Sequence, residues 1–288
     1  MSDLCISFHG GSTASSINNI LSVIPNTSLT PVLAPNASGV LPALSELRGF
    51  FVDSNGSLFV VNAYKDFSNI LTFQPQNGGG YTFDSIFAAG ATDGLAHPFC
   101  AVAGGDGHIY VSNQDVLSGA SSSAITYYEG PTLTHPGKYK GVFIDGFITL
   151  RGIATDGSNW FVADEGDSKN PGTVAVYDKN GELKTSVKVN QAVHLLYDGA
   201  KYLYIGSEGD NAVYQWDPAG DSQPVKFVSS TTTVPINHTS GLAISNAYLF
   251  VASRKSFSVN SYQISNPAAT AVVLVSGLAD DPEFILYM

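Results

Sequence analysis

The sequence predicts an all-β protein, a six-bladed β-propeller whose last blade is closed by the C-terminal strand joining the N-terminal strands. Three observations carry this. A strand–turn–strand unit recurs along the 288 residues, and each end of the chain holds part of one more unit. Charged residues are only 13% of the chain, about half the usual globular share of roughly 25%. Gly, Ser, Thr and Asn take their place, the composition of many strands joined by many turns. Long surface helices need more Glu, Lys and Arg.

The units follow in order. LRGFFVDSNGSLFVVN (47–62), HPFCAVAGGDGHIYVSN (97–113), LRGIATDGSNWFVAD (150–164), VHLLYDGAKYLYIGS (193–207) and SGLAISNAYLFVAS (240–253) share one plan. Each reads as an apolar strand, a tight polar turn, in most cases D-G or N-G, and a second alternating strand; such dipeptides tolerate positive φ and mark hairpins. Third strands follow at SNILTF (68–73), SAITYYE (123–129), TVAVYD (173–178), NAVYQWD (211–217) and VNSYQI (259–264). Weaker fourth strands follow at 81–87, 141–145, 183–189, 224–230 and 271–277. PEFILYM (282–288) matches a first strand only, and DLCISFHG (3–10), INNILSVI (17–24) and LTPVLAP (29–35) supply the rest of that blade. SNILTF and NNILSV are near copies at the same place in the unit. One domain, 1–288, is expected, with blades near 48–88, 97–145, 151–190, 193–230, 240–278, and 282–288 plus 3–35. Ring closure leaves only short edges, which suits a chain with few charged edge residues.

A formal net charge of -11 and only 13 Lys plus Arg argue against nucleic acid as a partner, since a duplex-binding surface needs clustered cations. No run approaches the ~18 apolar residues of a membrane span. No charged-then-apolar leader opens the chain, so a cytoplasmic protein or a trimmed mature secreted form is expected. Cys5 and Cys100 lie in apolar runs and read as buried thiols. No G-x-S-x-G, H-E-x-x-H, Walker or dinucleotide fingerprint occurs. The Gly/Ser stretches 10–16 and 119–123 lack a following Lys and read as loops.

Scarce side chains mark the candidate site. The chain has three arginines: Arg48 and Arg151 lead into first strands just before Gly, and Arg254 follows a second strand. His97, His194, His238 and His9 map to the same face, the mouth of the propeller. Arg presents a flat fork of donors suited to a carboxylate, an enolate or a polarised carbonyl, and His exchanges a proton near neutral pH. The acids expected there are Asp164, Glu165, Asp167, Glu208, Asp210 and Glu283, with Glu283 the leading acid candidate. Arg48, Arg151, His97, His238 and Glu283 are therefore the catalytic candidates. Asn62, Tyr64, Asn113, Asp164, His194, Glu208, Arg254 and Phe257 are the candidates for substrate binding. Asn62 and Asn113 end second strands at matching places, where they either cap turns or orient a ligand.

The pattern of repeated G-L-A-type first strands and D-G turns resembles the six-bladed propellers of the NHL-repeat, gluconolactonase and strictosidine-synthase-like group. By its size, split closing blade and mouth composition the chain is also similar to the propeller-type cyclases of fungal natural-product pathways, including hetero-Diels–Alderases that join tropolone o-quinone methides to a terpene alkene. That second resemblance implies Arg48 and Arg151 polarising tropolone oxygens and Phe side chains holding the terpene. The gluconolactonase resemblance implies a divalent ion held by oxygen ligands at the starts of first strands; here cations stand at two of those places, which disfavours a metal. The leading expectation is an enzyme acting on a polar, unsaturated small molecule without cofactor or metal, by cyclisation, dehydration or proton shift. The alternatives are a metal-dependent lactonase and a non-enzymatic binder. A six-bladed lectin usually repeats a Trp-bearing sugar site in each blade, and this chain has two Trp.

Overall fold

The computed structural model describes residues 3–10, 16–23, 29–63, 68–220, 222–245, 247–268 and 270–288. The described strands form six sheets, the arrangement of a six-bladed β-propeller. The chain divides into two compact units, Met1–Gly146 with Met288 and Phe147–Tyr287.

In the first unit, β1 (Leu4–Phe8), β2 (Leu21–Val23) and β3 (Thr30–Pro31) pair antiparallel in that order. The C-terminal residue Met288 bonds Asp3 through both its N–H (2.9 Å) and its C=O (2.7 Å). β4 (Leu33–Ala34), β5 (Leu47–Val52), β6 (Leu58–Asn62), β7 (Asn69–Pro75) and β8 (Tyr81–Ala89) form the sheet β4-β8-β7-β6-β5. β9 (Pro98–Ala103), β10 (His108–Asn113), β11 (Ser123–Glu129) and β12 (Tyr139–Phe147) form the next. The second unit holds three four-stranded antiparallel sheets. Their strands are β13 (Leu150–Thr155), β14 (Asn159–Asp164), β15 (Thr173–Asp178) and β16 (Leu183–Lys188); β17 (Ala192–Tyr197), β18 (Leu203–Ser207), β19 (Ala212–Trp216) and β20 (Val225–Ser229); and β21 (Thr239–Ser245), β22 (Tyr248–Ser253), β23 (Ser258–Gln263) and β24 (Val272–Ser276). Within the first unit β5 packs beside β1 and β9; within the second, β13, β17, β21 and β25 (Pro282–Tyr287) follow one another.

Turn chemistry places the hairpins. Asp53 Oδ1 accepts the N–H groups of Asn55 and Ser57, and Asp156 Oδ1 those of Ser158 and Asn159. Gly56 (φ 84) and Gly157 (φ 87) take the left-handed positions these turns require. Sheets then bury apolar faces against each other. Phe59, Val61 and Ile70 meet Ala101, Ile109, Val111 and Tyr128 in the first unit; Phe161, Val174 and Val176 meet Leu195, Ile205 and Trp216 in the second. Cys5 and Cys100 are free and buried, and burial pushes the Cys5 thiol up to about 12, with Asp3 adding to the rise.

One segment departs from expectation. LTPVLAP was expected as a single strand of the closing blade. Thr30–Pro31 pairs with β2, but Leu33–Ala34 pairs in parallel with β8 of the following sheet. Val32 bridges the two sheets: its N–H donates to Ile20 O (2.8 Å) and its carbonyl accepts from Tyr81 N–H (2.8 Å).

Five first strands share a β-bulge. Register shifts between Leu47 and Phe50, Leu150 and Ile153, Ala192 and His194, and Thr239 and Leu242; β9 shifts opposite Ser112/Asn113. The additional residue falls at Arg48–Gly49, Phe99, Arg151–Gly152, Val193 and Ser240–Gly241. Bulges re-aim a side chain out of the ladder, and here they fall on two of the three arginines. Glycine follows several of these residues because the next first strand lies against it: a Cβ on Gly152 would stand 2.7 Å from Val193 O, and one on Gly241 2.5 Å from Ile285 N.

Candidate functional site

The loops leading into the first strands are built alike. The carbonyl of the lead-in residue accepts the N–H of the residue just after the second strand: Glu46 from Ala63 (3.2 Å), His97 from Gln114 (3.1 Å), Thr149 from Glu165 (2.9 Å), Gln191 from Glu208 (3.0 Å) and His238 from Arg254 (3.0 Å). The last residue of the second strand ties the same loop. Asn62 Oδ1 accepts Ser45 N–H (2.8 Å), Asn113 Oδ1 accepts Ala96 N–H (2.8 Å), Asp164 accepts Ile148 and Thr149 N–H (3.0 and 2.8 Å), and Ser253 Oγ accepts Asn237 N–H (2.8 Å). Four lead-in residues are left-handed without being glycine: Glu46 (φ 51), His97 (φ 50), Gln191 (φ 47) and His238 (φ 56). Such a conformation costs on the order of 1 kcal/mol per residue and persists where the surroundings over-determine it.

In the first unit these loops gather an ionic cluster. Arg48 is buried, its Nη2 3.5 Å from Glu46 Oε2 and 3.4 Å from His9 Nε2, and its guanidinium lies 5.7 Å from the centre of the Phe99 ring. The same Glu46 oxygen stands 3.3 Å from His97 Nε2, and His97 Nδ1 is 3.6 Å from Asp115 Oδ2. The hydrogen bond from His97 holds the Glu46 carboxyl below its usual range; burial opposes this, and Arg48 reinforces it. Glu46 and His97 keep 16% and 14% of their side-chain surface.

In the second unit the residues just after second strands build a network with more carboxylates. Arg254 Nη1 is 3.2 Å from Glu208 Oε1, its Nε 3.3 Å from Glu283 Oε2, and its Nη2 3.9 Å from Asp281 Oδ2. His238 Nδ1 approaches Glu208 Oε2 at 3.4 Å, and Lys255 pairs with Asp281. Glu283 keeps only 2% of its side-chain surface. His194 is buried, edge-on to Phe284 at 4.5 Å between centroids, and burial drives its pKa down to about 4 against the pull of Glu283. Arg151 places Nε and Nη2 each 2.6 Å from Glu165 Oε2. Beside this pair opens a cavity of about 560 Å³ lined by Thr149, Glu165, Asp167, Lys169, Asn190 and Gln191.

The structure thus brings Arg48 and His97 together, and Arg254, Glu208, Glu283 and His238 together. Asn62, Asn113 and Asp164 are engaged in loop bonds. Phe257 is exposed, left-handed (φ 51), and its carbonyl accepts Leu278 N–H. Tyr64 lies outside the described residues. The sequence reading missed Glu46, Asp115 and Asp281. Glu46 carried a signal, an acid two residues before Arg48 at a turn into a strand. Each arginine has a glutamate partner. Among the described residues no three His, Cys, Asp or Glu side chains gather as metal ligands, and the glutamates nearest that description already face guanidinium groups.

No protein-family model matches the sequence, and no curated protein matches it. Solved structures do. A chain in a crystal structure of a nidogen/laminin complex is similar over 100% of this chain and 98% of its own, with 12% identity and a TM-score of 0.70. A 6-phosphogluconolactonase-like protein of Bacteroides fragilis covers 96% of this chain and 82% of its own, with 14% identity and a TM-score of 0.61. A catalytically inactive variant of virginiamycin B lyase from Staphylococcus aureus, determined with quinupristin, covers 79% and 69%, with 12% identity and a TM-score of 0.53. At these identities the likeness is one of fold. Among the described residues, no helix is long and apolar enough to cross a membrane.

Proposed function

We propose that the protein is an enzyme of small-molecule chemistry that works by proton transfer, of the kind needed for dehydration or cyclisation of a polar, unsaturated substrate. The observation that carries this is the Arg48–Glu46–His97 cluster. One carboxylate oxygen serves both a guanidinium at 3.5 Å and a partly exposed imidazole at 3.3 Å. In that arrangement Glu46 orients the ring, His97 takes or returns the proton, and Arg48 offers a donor to negative charge developing on a substrate oxygen. The lyase and lactonase-like proteins of similar fold are compatible precedents.

A second reading, binding without turnover, draws on the pairing of every arginine with a glutamate and on the nidogen/laminin likeness. Mass-spectrometric screening of lactones and of hydroxylated unsaturated carbonyl compounds, with and without EDTA, separates the readings. Turnover that survives chelation supports proton transfer. Turnover that chelation abolishes points to a metal hydrolase. No product from any compound, alongside ligand-induced thermal stabilisation, supports binding.

A further inference from the structure

The chain contains three Asn–Gly dipeptides, Asn55–Gly56, Asn77–Gly78 and Asn180–Gly181, all in turns. Asn–Gly is the dipeptide most open to internal attack, because glycine places no Cβ beside the reacting nitrogen. The three differ in how tightly the reacting groups are held. At Asn180 both are tied: Gly181 N–H donates to Asp178 O (3.0 Å), and Asn180 Nδ2 donates to Asp178 Oδ2 (3.3 Å). At Asn55 only the nitrogen is tied, Gly56 N–H donating to Asp53 O (3.0 Å). At Asn77 neither is: Gly78 N–H and the Asn77 amide make no hydrogen bond among the described residues. The turn there is Gly78, Gly79 and Gly80, all at positive φ (113, 99 and 77), and no atom lies within 4 Å of a Cβ built on Gly78 or Gly79. Asn77 is exposed.

We infer that Asn77 is a site of spontaneous covalent modification, conversion to aspartate and isoaspartate through a succinimide. The deprotonated Gly78 nitrogen attacks Asn77 Cγ, a C–N bond forms, the side-chain amide leaves as ammonia, and water opens the five-membered ring at either carbonyl. Opening at the side-chain carbonyl restores the normal backbone with aspartate; opening at the backbone carbonyl inserts a methylene into the chain. Both products add a negative charge to a chain already at -11. The tied turns react only after local opening, so the order of rates is Asn77, then Asn55, then Asn180.

The test is a time course of the intact protein at mildly alkaline pH. Peptide mapping by mass spectrometry follows all three sites, and methylation by an isoaspartyl methyltransferase counts the isoaspartate. A parallel incubation in denaturant removes the turns. The expected result is loss of the Asn77 amide while most of Asn180 remains, with the three rates converging in denaturant and the early methyl-accepting signal absent from Asn77→Gln. Equal native rates, Asn180 reacting first, or the same ranking in denaturant as in the native protein would overturn the assignment.

Discussion

The Arg48 cluster and the Arg254 cluster each join an arginine, a glutamate and a lead-in histidine, and they differ in how many carboxylates the arginine meets. Around Arg48 one carboxylate oxygen of Glu46 is shared with the His97 imidazole. Around Arg254 three carboxylates converge on one guanidinium, and Glu283 is almost fully enclosed. The same bulges and left-handed lead-in residues serve both units. Repetition of the blade therefore supplies places, and the residues set on them decide whether a place can move a proton or only hold loops together. In the second cluster Arg254 is held charged against its burial by Glu283, Glu208 and Asp281.

The largest effect expected from this contrast is on stability. Arg254→Met leaves carboxylates uncompensated and should cost about 4 kcal/mol, whereas Arg48→Met leaves Glu46 paired with His97 and should cost about half as much, roughly 2 kcal/mol. Urea unfolding midpoints at constant slope measure both, and equal losses would erase the distinction. Next comes acid sensitivity in the second unit. Burial holds the folded His194 pKa at about 4, whereas the unfolded chain returns it to the ordinary imidazole value of 6.5. The unfolded chain therefore binds the proton first, and stability falls as pH drops from 6.5 towards 4, by about 3 kcal/mol in all. In His194→Gln that component of the pH dependence should vanish; a slope as steep as the wild type's would show that other groups carry it. A smaller effect is expected from the loop ties. Asn62→Ala removes an acceptor and donors that serve Ser45 N–H, Ala43 O and Asn69 Oδ1, a loss of about 2 kcal/mol, against about 1 kcal/mol for Ser253→Ala. Thermal unfolding of the two variants ranks them.

Much of the fold was legible because its signals are local. Asp–Gly and Asn–Gly turns set the hairpins, period-2 alternation set the strands, and the near copies SNILTF and NNILSV placed the terminal segments in one blade. The parallel pairing of Leu33–Ala34 with β8 was not legible, since it rests on a contact between residues nearly fifty positions apart that no local pattern marks. At the site, scarcity singled out Arg48, Arg254, His97 and His238. Their partners Glu46, Asp115 and Asp281 stayed hidden among ordinary loop acids, because the bulges and left-handed backbone that bring them together leave little trace in composition.

The most direct test of the account is turnover by the wild type, His97→Asn and His238→Asn on any compound the wild type converts. The two histidines sit at matching places; His97 faces the same carboxylate oxygen that meets Arg48, whereas His238 and Arg254 meet different oxygens of Glu208. Loss of about 10²–10⁴-fold in kcat for His97→Asn, with His238→Asn little changed, is the predicted result. Full activity in His97→Asn, or the greater loss in His238→Asn, would contradict it.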